Sequence, residues 1–105
     1  MIGQLVKHRT IMQIAVPFYS RDNFVKITEM LPNSDWPKTY EDWIGKTERG
    51  ERGIKKSGNV PVRIDVEPAS FEAWCKDNDQ PVIRTTILVY CGFVLASGIM
   101  KARDN

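Results

Sequence analysis

This sequence predicts an α+β fold, mostly helical, with three to four helices packed on a small sheet that is two-stranded or completed by a dimer partner. Three observations carry that expectation. Val60 to Val66 alternates with period two, setting Val60, Val62, Ile64 and Val66 against Arg63, Asp65 and Glu67, the mark of a strand with one buried and one wet face. Phe24, Ile27 and Leu31, and later Tyr40, Trp43, Ile44, Thr47 and Ile54, fall on helical stripes. Finally, 105 residues with 42% hydrophobic and 27% charged side chains suffice for one core and not two, so residues 1–105 are expected to form a single domain.

Taken in order, Thr10 to Val16 is rich in apolar and β-branched residues and reads as a first strand, ended by Pro17. Ser20 is an N-cap for the helix carrying Phe24, Ile27 and Leu31, because its hydroxyl can accept from a first-turn amide. Pro32 stops that helix by disfavouring helical geometry in the residue before it. Asn33 to Lys38, around Trp36 and Pro37, is a loop. Thr39 caps the longest helix, with Asp42 three residues on as a weaker form of the reciprocal capping box. The outer face of this helix sets Glu48 before Arg52 and Glu51 before Lys55, each acid four residues ahead of its base. Gly58 closes it where a left-handed residue is wanted. Gly45, Gly50 and Gly53 each cost the helix up to roughly 1 kcal/mol relative to alanine. The expectation is therefore a break near Gly50 to Gly53; the alternative is that the small residues let another backbone approach.

After the alternating strand, Pro68 fits the first turn of a helix, where its missing N–H is not needed. Phe71, Trp74 and Cys75 form the buried stripe of that helix, and Asp77-Asn78-Asp79 with Pro81 ends it. The last element, roughly Arg84 to Ala102, is apolar on nearly every side, so periodicity does not separate a buried helix from a buried strand. Its length favours helix; the Thr-Thr-Ile-Leu-Val-Tyr start and Gly92 favour strand. Helix is the reading taken. Thr85 to Met100 carries no formal charge but is shorter than the roughly 20 apolar residues of a spanning helix. Thr85, Thr86, Gly92, Ser97 and Gly98 dilute it further, and a membrane partner is not expected.

Composition narrows the functional classes. A net charge of +2 is too mild to demand nucleic acid or an anionic membrane. Two cysteines, Cys75 and Cys91, in different elements do not make a secreted disulfide framework, and reduced thiols in a cytoplasmic protein are expected. Lys7, His8 and Arg9 precede a short apolar run, but Gln13 and Pro17 interrupt it and no small-residue cleavage pattern follows, so no signal peptide is read there. His8 is the only histidine, and a nucleophilic triad or a histidine-based metal site would have to use it. No such constellation is recognised: no catalytic residue, no metal ligand set and no cofactor is expected. Asp65 and Glu67 share a strand face about 7 Å apart, yet with Arg63 beside them they read as solvated strand residues. The three glycines lie inside a helix and not after a strand, so they are no phosphate loop.

Two surfaces remain. Arg49, Arg52, Lys55 and Lys56, with Lys46, gather basic charge on the long helix and are the candidate nucleic-acid contacts, although Glu48 and Glu51 offset part of it. Phe18, Tyr19 and Trp36 are expected in loops flanked by prolines and off any periodic stripe. Such aromatics either plug the end of a core or present a sticky face to a partner. They are the candidate partner-binding residues.

A resemblance adds context. Val16-Pro17-Phe18-Tyr19 with Asp22, Phe24 and Ile27, then Met30-Leu31-Pro32, then Pro37, Tyr40, Glu41 and Trp43, begin it. Val62-Arg63-Ile64-Asp65-Val66, Pro68 and Phe71-Glu72-Ala73-Trp74-Cys75 complete it. Over about residues 16 to 75 this order resembles a group of small bacterial proteins for which no activity is known. The resemblance implies a bacterial cytoplasmic setting and a compact fold, and it implies no site. The segment after Pro81 is more apolar than that group leads one to expect. The functional expectation is a non-enzymatic interaction or regulatory module that binds an unknown protein partner. The alternative is a nucleic-acid-binding protein using the basic face of the helix around residues 40–56. A two-stranded sheet leaves exposed edges, so a homodimer is also expected.

Overall fold

A computed structural model describes residues 10–32 and 36–104. Expectations about the N-terminal stretch, His8 and the loop residues Asn33 to Asp35 lie outside the described residues. Among the described residues the order is β1 (Gln13–Phe18), α1 (Arg21–Met30), α2 (Tyr40–Lys56), β2 (Val60–Asp65), α3 (Pro68–Asp77) and α4 (Arg84–Asp104). This is an α+β, mostly helical fold on a two-stranded sheet.

The local signals that start and stop the helices hold. Ser20 accepts from the Asn23 amide at 3.1 Å, and Thr39 accepts from the Asp42 amide at 3.0 Å. Leu31, which precedes Pro32, turns out of the helix into extended backbone. Gly58 takes the left-handed conformation, with φ 89°, that a residue carrying a Cβ adopts only at a cost. Pro68 stands in the first turn of α3. Helix α2 runs unbroken through Gly50 and Gly53, and nothing lies within 4 Å of a Cβ built at either. The expected break does not occur. The stripe of Tyr40, Trp43, Ile44, Thr47 and Ile54 packs inward, and that packing outweighs the glycine cost.

The strands pair in parallel, with Val16 opposite Arg63 and Pro17 opposite Ile64. Pro17 therefore lies within β1 and does not end it, and Phe18, expected in a loop, is the last residue of the strand. The register explains this. The Met12 and Phe18 carbonyls accept from the Val60 and Val66 amides, so the even-numbered residues of both strands turn their peptide groups toward each other. Pro17 and Pro61, at odd positions, turn theirs outward, where no ladder bond is lost. Each open edge of the sheet thus carries a proline, a feature that blunts pairing with another strand.

Parallel strands require a crossover, here through α1 and α2, and a crossover covers a sheet face. The face bearing Phe18, Arg63 and Asp65 is accordingly not simply wet. Arg63 donates to both carboxylate oxygens of Glu51 on α2, at 2.7 and 2.9 Å, and its guanidinium lies 4.4 Å from the Phe18 ring centre. The expected Glu51–Lys55 pair is replaced by this longer-range one, because Glu51 points at the sheet. Its side chain is only 12% exposed. The opposite face carries Ile64 and Val66 into the main core with Ile27, Phe71, Cys75, Ile87 and Cys91. Helix α4, which crosses both strands, covers that face.

Helix is the correct reading of the last element. Thr86, Ile87, Tyr90 and Cys91 of α4 are buried, while Leu88, Val89 and Phe93 are more than half exposed. Among the described residues no helix is long and apolar enough to cross a membrane.

Candidate functional site

Between α2 and α4, over the outer edge of β1, lies a cleft of about 260 Å³. Its floor is Val16 and Pro17, one wall is Trp43, Lys46 and Thr47, and the other is Arg84, Ile87 and Leu88. Trp36 and Pro37 close one end, above Tyr19. The sequence puts these groups together by simple means. Trp43, Lys46 and Thr47 stand three and four residues apart and share one side of α2. Arg84, Ile87 and Leu88 do the same in the first turns of α4.

The aromatic end is rigid. Trp36 donates its Nε1 proton to Thr28 Oγ1 at 2.7 Å, and that hydroxyl donates onward to the Phe24 carbonyl at 2.7 Å. The Trp36 ring stacks on Phe24 at 5.7 Å between centres and meets the edge of Tyr19 at 5.8 Å. Tyr40 donates to the Tyr19 carbonyl at 2.9 Å, and the Tyr19 and Trp43 rings lie 5.0 Å apart. The Arg84 guanidinium sits 5.8 Å from the Trp36 ring centre, within cation–π range. Burial pushes the Tyr19 phenol well above its ordinary pKa, with Cys91 adding to the shift and Arg84 opposing it. It is neutral at any physiological pH.

The three aromatics expected to act together divide. Trp36 and Tyr19 belong to the cleft, but Tyr19 is 2% exposed and plugs the core behind it. Phe18 points to the other sheet face, packed on Trp43 at 5.4 Å beneath Arg63. Sequence reasoning missed Pro17, Arg84 and Leu88, and it set Lys46 only beside the candidate nucleic-acid contacts of α2. Lys46 was legible, because it follows the inward Trp43 by three residues. Arg84 was not, since its place depends on how the last helix crosses the sheet.

Leu88 also begins a second feature. Leu88, Val89 and Phe93 are three large apolar residues of α4 that are more than half exposed, and of these Leu88 lines the cleft. Phe93 rests one side on Trp74, 5.8 Å between ring centres. The other candidate residues, Arg49, Arg52, Lys55 and Lys56, lie exposed along α2. Among the described residues none of the four has an ion-pair partner.

The carboxylates at the end of β2 do not act as a pair. Glu67 caps α3, accepting from the Ala69 and Ser70 amides and from the Ser70 hydroxyl. Those bonds, the hydroxyl's foremost, hold its carboxyl below the usual glutamate range. Asp65 is exposed. Cys75 and Cys91 are both free and buried, and burial raises the Cys91 thiol to about 12, far from a reactive thiolate. Among the described residues no group of three or more His, Cys, Asp or Glu side chains is arranged to hold a metal. Comparison with protein-family models, curated proteins and solved structures returned no match for this chain.

Proposed function

We propose that this protein is a non-enzymatic interaction module of the bacterial cytoplasm that binds another protein through the cleft and the exposed apolar residues of α4. One observation carries the reading: an aromatic cleft has Leu88 on its wall, and Val89 and Phe93 farther along α4 are, like Leu88, more than half exposed. Large apolar groups left at the surface side by side mark binding surfaces more often than chance. Rigid aromatics lining a pocket are the usual anchors of such surfaces. A second copy of the chain is one candidate partner, and the prolines at both sheet edges favour these residues over edge pairing as its route. The test is native co-purification of the tagged protein from its host, beside the Phe93→Asp variant. The reading expects a stoichiometric protein band that is lost with Phe93→Asp while the circular dichroism of the variant is unchanged. A band equally strong with both, or none with either, removes it.

A second reading, nucleic-acid binding by α2, is favoured by Arg49, Arg52, Lys55 and Lys56, which have no ion-pair partner among the described residues, and by the open space over Gly50 and Gly53. A phosphate backbone could approach there closely. It expects the double substitution Arg49→Ala, Arg52→Ala to weaken binding and flatten its salt dependence. Absence of binding at low salt would dismiss it.

A further inference from the structure

We propose that the outer face of α2 seats in the major groove of duplex DNA and holds it chiefly by the phosphates. The inference rests on the second reading above, nucleic-acid binding by α2, and names the form of nucleic acid and how it is held.

The first argument is how α2 divides its charges. Arg49, Arg52 and Lys56 follow one another at steps of three and four, so they form one stripe. It lies opposite the inward Trp43, Thr47 and Ile54. Lys46 and Lys55, nine positions apart, are separated by roughly two and a half turns and so flank the stripe on opposite sides. From residue 46 to the end of α2 the exposed side chains include these five cations and one acid, Glu48. The other acid of that stretch, Glu51, is bound to Arg63 on the sheet. Glu48 leans the same way: the Glu51 bond first, and the charge of Glu48 behind it, raise the Arg63 guanidinium above its ordinary pKa. At the far end Glu41 pairs with Arg21, and Asp42 stands about two turns before Arg49. The last two and a half turns of the outer face are thus basic, and a surface of one sign draws a partner of the other.

Relief is the second argument. Gly50 and Gly53 are exposed beside the stripe, and a Cβ at either would meet nothing within 4 Å. Glycine is a poor helix former, and no neighbouring part of the described chain needs the room. A phosphate backbone does, because bare positions between Arg49, Arg52 and Lys56 let it come close to the helix. An α-helix with its side chains is about 10–12 Å across, and the major groove of B-form DNA, about 12 Å wide, admits one.

The third argument separates the duplex from a single strand. Single strands are held largely by bases stacked on aromatic side chains. None of the exposed residues of α2 is aromatic; Tyr40 and Trp43 pack on each other at 5.1 Å, with Trp43 buried. An RNA duplex is excluded on shape, since its major groove is too narrow to be entered.

The experiment is fluorescence anisotropy of a labelled 20-base-pair DNA duplex with the full-length protein across a salt series. The inference expects log K to fall with log salt at a slope of about −4 to −5, each of about five neutralised phosphates contributing about −0.9. The double substitution Arg49→Ala, Arg52→Ala should make the slope shallower by about 2 and weaken binding about tenfold or more at about 50 mM salt. Gly53→Glu is the second variant: it suits the helix better than glycine, leaves the fold intact, and should weaken binding by at least as much. A slope unchanged by the double substitution, or binding indifferent to Gly53→Glu, overturns the inference. So does equal displacement of the duplex by polyglutamate of matching charge, which would mark an acidic protein as the occupant. A single strand or an RNA duplex bound as tightly as the DNA duplex leaves the second reading standing and removes this inference alone. No binding to any of the three removes both.

Discussion

The two sides of α4 have nearly the same composition and opposite fates. On the inner side Ile87 and Cys91 are sealed from solvent, whereas on the outer side Leu88, Val89 and Phe93 are more than half exposed. Hydrophobicity alone does not tell them apart. The helix needs one face to cover Ile64 and Val66, and a parallel sheet of two strands is only wide enough to bury that face. The lesson is that an element apolar all round is not necessarily a core element. Here the surplus apolar face stays at the surface.

The sharpest way to break that comparison is thiol chemistry. In a Val89→Cys variant the introduced thiol is expected to react with a water-soluble alkylating reagent at an ordinary rate. Cys91 should react at least about 10³-fold more slowly, because its labelling requires unfolding and its thiol is raised to about 12. Mass spectrometry of peptides after timed quenching checks it, and comparable rates would mean that the inner face is not sealed. Next in size, Ile87→Ala should cost about 2–5 kcal/mol in urea unfolding, the range for truncating a fully buried aliphatic side chain. Smaller again is the Arg63–Glu51 pair on the other sheet face. Glu51→Gln should cost about 1 kcal/mol, since the arginine end is too exposed to contribute more.

That pair also has a pH signature. The hydrogen bond from Arg63 holds the Glu51 carboxyl below its ordinary 4.5. A lowered folded-state value means the pair stabilises above the ordinary value and loses its contribution as pH falls through the lowered one. Glu51→Gln should therefore flatten the fall in stability from about pH 5 to pH 3, and an unchanged slope would show the bidentate pair is not formed in solution. The smallest effect expected is that of Leu88→Ala, within about 0.5 kcal/mol of the parent protein. A cost like that of Ile87→Ala would erase the distinction between the two sides.

Particular residues show where legibility in the sequence stopped. Ser20, Thr39, Pro32, Gly58 and Pro68 act within a turn of their own position, and each marks a helix end as read. Pro17 was misread because a proline ends a strand only if its N–H is needed, and that depends on which edge of a parallel pair it faces. Glu51 was assigned to Lys55, four residues away, because helix spacing makes that pair visible. Its actual partner, Arg63, is set by the docking of α2 on the sheet. The cleft was half legible: Trp36 was singled out, but its neighbours Lys46 and Arg84 come from elements 38 positions apart in the chain.

The sequence by itself determined the caps of α1, α2 and α3, the alternating strand and the α+β class, because those follow from short-range sterics, capping and periodicity, whereas the continuity of α2 and the helical state of α4 were not settled by those signals. Only the tertiary structure decided the parallel pairing, the outward turn of both strand prolines, the partner of Glu51 and which side of α4 is buried. The physical reason is that each of these depends on a contact between segments distant in the chain. No local free-energy preference distinguishes the alternatives, and the shared core does.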